Sequence, residues 1–189
     1  MRIVAGRFRG TALTGPGKGA AEALRLRPTP DRVREALFSM LFAGHGAPSE
    51  GSTVLDLFAG TGAMGFEALS RGAARTIFVE KGRDALGLIR RNAEKLRLGE
   101  EAEIVARDAL KLGQRTGPAA SLVFLDPPYG KDLGAKALQA ALAGGWIAGG
   151  ALVSWEEDAA MDAPPGWDLL DTRSWGTTHV TILRAPGGA

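Results

Sequence analysis

From residue 52 onward the chain alternates short apolar runs with stretches of helical spacing. Runs at 53–57, 75–80, 102–106, 121–125, 151–155 and 179–184 predict strands. Between the early ones, residues 63–71, 83–98 and 131–143 predict helices. Such alternation predicts a parallel sheet with helices on both faces. The late join differs. Residues 156–175 hold Pro164-Pro165-Gly166 and no convincing helix, so another short strand near 167–173 and an antiparallel finish are expected. Ahead of this pattern, residues 2–5 and 10–13 read as a small hairpin around Gly6-Arg7-Phe8-Arg9. Arg27-Pro28-Thr29-Pro30-Asp31 then opens a helix over 31–42. Proline bars helix before it, Thr29 or Asp31 can cap it, and Val33, Leu37, Met40 and Leu41 form its apolar face. Residues 44–51 read as a linker, which divides the chain into an extension over 1–50 and a main domain over 51–189.

The strand at 121–125 ends in Asp126-Pro127-Pro128-Tyr129, and in open α/β sheets ligands sit at that C-terminal end. Asp126 is an acceptor. Pro127 lacks an N–H but keeps a carbonyl, a second acceptor. The paired prolines Pro127 and Pro128 stiffen the loop, and Tyr129 offers a flat face for stacking. Two acceptors beside an aromatic face suit a planar group carrying an NH2, such as a nucleobase edge. The plainer reading is a turn after a strand.

Residues 54–65 read as a strand, a tight glycine turn and a helix start. Gly60, Gly62 and Gly65 fit G-x-G-x-x-G, and Glu80 ends the next strand, where an acid can accept from both ribose hydroxyls. A nucleoside cofactor is expected, of one of two kinds. A dinucleotide would set its pyrophosphate on the helix N-terminus. S-adenosylmethionine has no phosphate and carries an ammonium at its methionine end. Asp56, four residues before Gly60, would repel a pyrophosphate and can face an ammonium, which favours S-adenosylmethionine. Asp108 follows the third strand, where it can cap the short helix that follows.

Charge changes the picture at the N-terminus. The net charge is +2, but residues 1–34 hold eight basic residues against two acids, or +6, leaving −4 elsewhere. A basic arm of this kind suits a polyanion, with a solvated basic face as the alternative. Arg7, Arg9, Arg27, Arg32 and Arg34 are the candidate phosphate contacts, together with Lys131 just after the Asp126 loop. Arg32 and Arg34 are two apart on a helix and cannot share a face, so one of them is free to serve structure. The chain has no cysteine and two histidines, His45 and His179. That excludes thiolate chemistry and disulfides and argues against a metal site. No apolar run is long enough to span a bilayer, and no signal-peptide pattern opens the chain. A cytoplasmic protein is expected, with no membrane partner.

Asp126–Tyr129 resembles the D/N-P-P-Y/F motif of amino-methyltransferases that use S-adenosylmethionine, and Asp56-x-Phe58-x-Gly60-x-Gly62 resembles their first motif. The likeness runs further. Residues 1–10, residues 27–38 and residues 56–72 are similar to the bacterial RsmD family of 16S ribosomal RNA guanine-N2 methyltransferases, over nearly all of residues 1–155. This resemblance implies a class I methyltransferase fold: a Rossmann-like, mostly parallel seven-stranded sheet with helices on both faces and a small N-terminal hairpin and helix extension. It implies that Asp56, Phe58, Gly60, Gly62, Glu80, Asp108, Ala109 and Thr29 line the cofactor, with Glu80 on the ribose and Asp108 on the adenine amino group. Asp126, Pro127, Pro128 and Tyr129 would form the catalytic loop. The implied partner is 16S rRNA in the small subunit or an assembly intermediate. The enzyme would be a metal-free monomer releasing S-adenosylhomocysteine. Related chemistries are adenine-N6 and protein-glutamine methylation. A reading of another class is a non-catalytic RNA-binding module.

Overall fold

The computed structural model describes residues 1–17, 31–47, 50–129 and 132–187. Seven strands lie in it: β1 (Thr53–Leu57), β2 (Arg75–Glu80), β3 (Ala102–Ala106), β4 (Ala120–Leu125), β5 (Ile147–Glu157), β6 (Asp168–Trp175) and β7 (Thr178–Arg184). The helices of the described residues are α1 (Asp31–Ser39), α2 (Ala63–Ser70), α3 (Arg83–Lys95) and α4 (Leu133–Ala143). The strands form one sheet in the order β3-β2-β1-β4-β5-β7-β6. β1 pairs in parallel with β2 and β4, and β4 with β5, whereas β7 runs antiparallel to both β5 and β6. The strand order therefore reverses between β1 and β4, and a crevice opens there at their C-terminal ends.

The central strands are apolar throughout because both faces are covered. On one face Val54, Phe78, Leu122, Phe124 and Ile182 pack with Phe66 and Leu69 of α2 and Ile89 of α3. On the other, Leu55, Val79, Val123 and Trp155 pack with Ala137, Leu138 and Ala141 of α4. This is the seven-stranded, mostly parallel sheet of a class I methyltransferase, with the antiparallel finish expected from the proline-rich join.

Three boundaries depart from the sequence pattern by three residues or more. α1 is α-helical only to Ser39 and widens into a π-helical turn over Met40–Gly44. α3 stops at Lys95 because Arg97 turns left-handed at φ 54°. The amides of Arg97 and Leu98 then return to the carbonyls of Glu94 and Ala93, and this closure satisfies the last turn. Leu98, whose apolar character extended the apparent helix, is buried beyond its end. β5 starts earlier than residue 151. Its pairing with β4 jumps from Ala120–Ile147 to Leu122–Leu152, and the looped-out stretch contains Gly150 at φ 73°, which disguises the strand. Residues 130 and 131 lie outside the described set.

The N-terminal segment is a short antiparallel hairpin bridged at Arg2 and Ala12. Ile3, Leu13, Leu37 and Phe38 join the apolar cluster on the first face of the sheet. Its docking point is Glu67 of α2, which is fully buried. Glu67 accepts the amides of Val4 and Ala5 at 2.8 and 3.0 Å. The same carboxylate accepts Arg71 Nε at 2.8 Å and faces Arg34 Nε at 3.6 Å. Ser70 adds its carbonyl to Arg7 N and its hydroxyl to Phe8 N. Gly6 is obligatory at this junction: it stands at φ 79°, and a Cβ would fall 1.7 Å from the Ser70 carbonyl oxygen.

A buried carboxylate shared by two guanidinium groups is strongly destabilising to lose, because the cations are left uncompensated. Glu67→Gln keeps the volume but replaces one acceptor oxygen with an NH2. It should lower the unfolding free energy by about 3–5 kcal/mol, read from urea denaturation. Hydrogen exchange at Val4 and Ala5 should accelerate. An unchanged midpoint would show that apolar packing alone docks the hairpin.

Candidate active site

Asp56, Glu80, Asp108 and Asp126, which the sequence singled out, gather at the C-terminal ends of β1, β2, β3 and β4. Asp56 lies one residue from the end of β1, between Phe78 of β2 and Phe124 of β4 in the ladder. Its side chain is almost fully buried, and Oδ2 accepts the amide of Gly65 at 3.0 Å. The glycine turn is thereby tied to the sheet. Phe58 stands at φ 59°, a left-handed conformation that is uncommon for a bulky residue and that recurs at functional sites. Gly65 permits close approach of α2 to β2, since a Cβ there would lie 2.3 Å from Phe78 Cε1. At Gly62 a Cβ would lie 2.6 Å from Phe66 Cε2. Both contacts are with the protein's own side chains, so the two glycines let the turn and α2 pack tightly on β2.

Burial pushes the Asp56 carboxyl up to about 8; the Gly65 amide opposes the shift and the Glu80 carboxylate adds to it. Asp56 is therefore mostly protonated near neutrality, and a cation at its side would draw the proton off. Glu80 is oriented by three backbone amides. Oε2 accepts Gly60 N at 3.0 Å, and Oε1 accepts Lys81 N and Gly82 N at 2.8 and 2.7 Å. Asp108 caps the turn after β3 by accepting Leu110 N at 3.0 Å, while its other oxygen meets Lys81 Nζ at 2.9 Å. These two donors, the amide first, hold its carboxyl below the usual range. Ala109, which follows it, is buried. Asp56, Glu80 and Asp108 thus line the C-terminal ends of three neighbouring strands, β1, β2 and β3.

Asp126 follows β4 at the same end, with its amide donated to Leu57 O at 3.4 Å. Crowding by protein and the carboxylates of Glu156, Asp56 and Glu157 raise Asp126 well above the ordinary carboxylate range. The residue still reaches solvent. Dehydration is therefore weaker than the packing around it suggests, and like-charge crowding carries more of the shift. Pro127 is buried and Pro128 exposed. Tyr129 donates its hydroxyl to Glu156 Oε1 at 3.1 Å. Its half-burial and these two carboxylates push the phenol up.

The basic candidates separate. Arg9 and Arg32 are exposed and border, with Arg2, a recess of about 270 Å³ that Asp31 and Glu35 also edge. Arg7 is paired with Glu101 and lies over the Phe8 ring at 4.5 Å. Phe8 is half-buried against the core. Arg34 is a correction. Its side chain is 1% exposed and bonds Asp31 Oδ1 at 2.8 Å and the Arg2 carbonyl, so it anchors the extension and cannot meet a phosphate. Thr29, Arg27 and Lys131 lie outside the described residues. His45 pairs with Asp171 at 3.5 Å and His179 with Ser174 at 3.1 Å, each across neighbouring elements.

Three residues at or beside the site escaped the sequence reading. Glu156 is the penultimate residue of β5 and follows the apolar run that ends at Trp155, much as Glu80 follows its own run, and this signal could have found it. Lys81 pairs with Asp108 across the ends of β2 and β3. Asn92 of α3, fully buried, exchanges bonds with Thr14 and reaches the Thr61 carbonyl in the glycine turn at 3.4 Å. A lone Asn within a helix carries no sequence signal for such a role.

The chain is similar to known proteins over most of its length. The chain is 35% identical over 190 residues to ribosomal RNA small subunit methyltransferase D of Haemophilus influenzae, covering 97% of this chain and 93% of that protein. The Escherichia coli protein yhhF superposes with a TM-score of 0.83 at 32% identity, covering 100% of this chain and 99% of the other. An RNA methyltransferase from Salinibacter ruber, solved with S-adenosyl-L-homocysteine, shares the fold at a TM-score of 0.64 and 19% identity, over 86% of this chain and 96% of that one. The family described as "Conserved hypothetical protein 95" matches residues 1–184, and with these relatives it shows that the chain belongs to the RsmD family.

Proposed function

We propose that this protein transfers a methyl group from S-adenosylmethionine to the exocyclic N2 of a guanine in 16S rRNA of the small ribosomal subunit. The observation that carries the reading is the placement of Asp126 and Tyr129 beside Asp56 at the crevice between β1 and β4. An acceptor for an amine and a stacking surface stand there next to a glycine turn. The names of the relatives support ribosomal RNA of the small subunit as substrate.

The residues fit the cofactor. Asp56 suits the ammonium of its methionine end, the turn at Gly60 and Gly62 would carry its chain, Glu80 suits the ribose diol, and Asp108 with Ala109 suits adenine. When bound, S-adenosylmethionine supplies a methyl group already activated on a sulfonium. The remaining obstacle is the guanine amine, whose lone pair is delocalised into the ring. Hydrogen bonds from that amine to Asp126 and to the Pro127 carbonyl favour a pyramidal nitrogen. Tyr129 holds the base plane by stacking. The chemistry is positioning and electrostatics, with the departing proton passing to Asp126 or to water. The base must leave its stack to enter the site. Arg9 and Arg32, on the hairpin and on α1, suit backbone phosphates of the RNA. A monomer acting in the cytoplasm fits this role. Among the described residues no helix is long and apolar enough to cross a membrane.

Methyl transfer from labelled S-adenosylmethionine to under-methylated small subunits should yield N2-methylguanosine on nucleoside analysis. N6-methyladenosine would instead replace guanine as the target. Asp126→Ala should slow transfer by at least about a hundredfold while leaving cofactor binding within a few-fold. Lost binding with retained transfer would contradict the assignment. A second outcome follows from Asp56. Its carboxyl is raised to about 8, so at pH 7 it is protonated in the free protein and ionises beside an ammonium. Calorimetry in buffers of different ionisation enthalpy should record release of most of one proton on cofactor binding, absent in Asp56→Asn. Equal release by both proteins would remove Asp56 from the ammonium.

A further inference from the structure

The catalytic loop has a neighbour that the motif does not include. Phe124 pairs with Ser154 and Leu125 with Trp155. Continuing this register sets Asp126 beside Glu156. Side chains alternate along a strand, so Asp126, two past Phe124, and Glu156, two past Ser154, fall on one face of the sheet. Asp56, which pairs with Phe124, lies on that face as well. Glu156 is half-buried and takes the Tyr129 hydroxyl at 3.1 Å on Oε1. A carboxylate accepts about four hydrogen bonds, so the bond from Tyr129 orients the group without exhausting it.

Guanine presents two adjacent donors on its pairing edge, the N2 amine and the N1–H. Asp126 answers the first. We infer that Glu156 answers the second: its carboxylate, oriented by Tyr129, accepts the guanine N1–H and so selects guanine over adenine. This rests on the guanine reading above. Adenine places a lone pair at N1 and would set acceptor against acceptor. A site built to hydrogen-bond a donor rejects an analogue that lacks it far more strongly than an apolar pocket rejects a change of size. Tyr129 thereby has two tasks, stacking through its ring and orienting Glu156 through its hydroxyl.

The test uses reconstituted small subunits carrying guanine or 2-aminopurine at the methylated position. 2-Aminopurine keeps the N2 amine and lacks N1–H. The full-length protein should prefer guanine by about tenfold or more. Glu156→Ala should bring the ratio of rates close to one by slowing guanine selectively. Glu156→Gln, whose amide oxygen can still accept, should fall between. Tyr129→Phe, which keeps the stacking ring and removes the orienting hydroxyl, should slow guanine more than 2-aminopurine and lower the ratio part of the way. Retained S-adenosylhomocysteine binding confirms that each variant is folded. If Glu156→Ala and Glu156→Gln slow both substrates alike, Glu156 serves only to place Tyr129 and the inference is overturned. Absence of N2-methylguanosine with the unsubstituted protein would instead remove the guanine reading, and this inference with it.

Discussion

The bond from the Gly65 amide to the buried carboxyl of Asp56 is the point on which the rest turns. It fixes where α2 leaves the sheet, and α2 is only eight residues long. Its first turn closes the glycine loop. Its flank presses on Phe78 and Thr76, which is possible because residue 65 has no Cβ, and Thr76 Oγ1 bonds the Gly65 carbonyl at 3.2 Å. Its last turn carries Glu67 and Ser70, which hold the N-terminal hairpin. One short helix therefore sets the distance between the glycine turn and the arm that presents Arg9 and Arg32. Interiors are close-packed and transmit small displacements, so a shift of α2 moves both ends of the site together.

Charge is sorted along the same axis. Asp56, Asp126, Glu156 and Glu157 gather at the C-terminal edge of the sheet, where burial and the neighbouring acids raise Asp126. The basic excess lies in the first 34 residues. An acidic pocket beside a basic arm is a poor place for a dinucleotide and a suitable one for a cationic cofactor and a polyanionic substrate arriving from different sides. The arm is not uniformly available, however. Arg34 is consumed by Asp31, Glu67 and the Arg2 carbonyl, and Arg7 is paired with Glu101. Arg9 and Arg32 stand exposed, as does Arg7 beside its Glu101 partner.

The parts of the fold that the sequence made legible are those governed by period and by local stereochemistry. Strands buried on both faces read as apolar runs, and the glycine turn read as a turn. The acids at strand ends stood out because an ionisable group after an apolar run is conspicuous. The illegible parts depend on long-range partners. Nothing local distinguishes Arg34 from Arg32; the difference arises only when Glu67, 33 positions away, is folded against one of them. The start of β5 was hidden by Gly149-Gly150, which mark a looped-out irregularity and not a strand end. Glu156 was legible as an acid after an apolar run, but its pairing with Tyr129 on a neighbouring loop was not.

The arrangement of acceptors also bears on how a ligand would be met. Glu80 is already held by the amides of Gly60, Lys81 and Gly82, Asp108 by Leu110 and Lys81, and Glu156 by Tyr129. A flexible acid would have to be ordered at the moment of binding, with an entropic penalty for each side chain immobilised. Here that ordering is completed by folding. Phe58, kept at φ 59°, is the same principle applied to the backbone, since such a conformation persists only where the surrounding structure over-determines it. In this structure the over-determination comes from β1 beneath the loop and from Ala59 N, which bonds Val79 O at 3.1 Å. The sheet thus holds the site's geometry in advance. On the proposed reading, what remains for the RNA is to deliver one unstacked base to acceptors that are already in place.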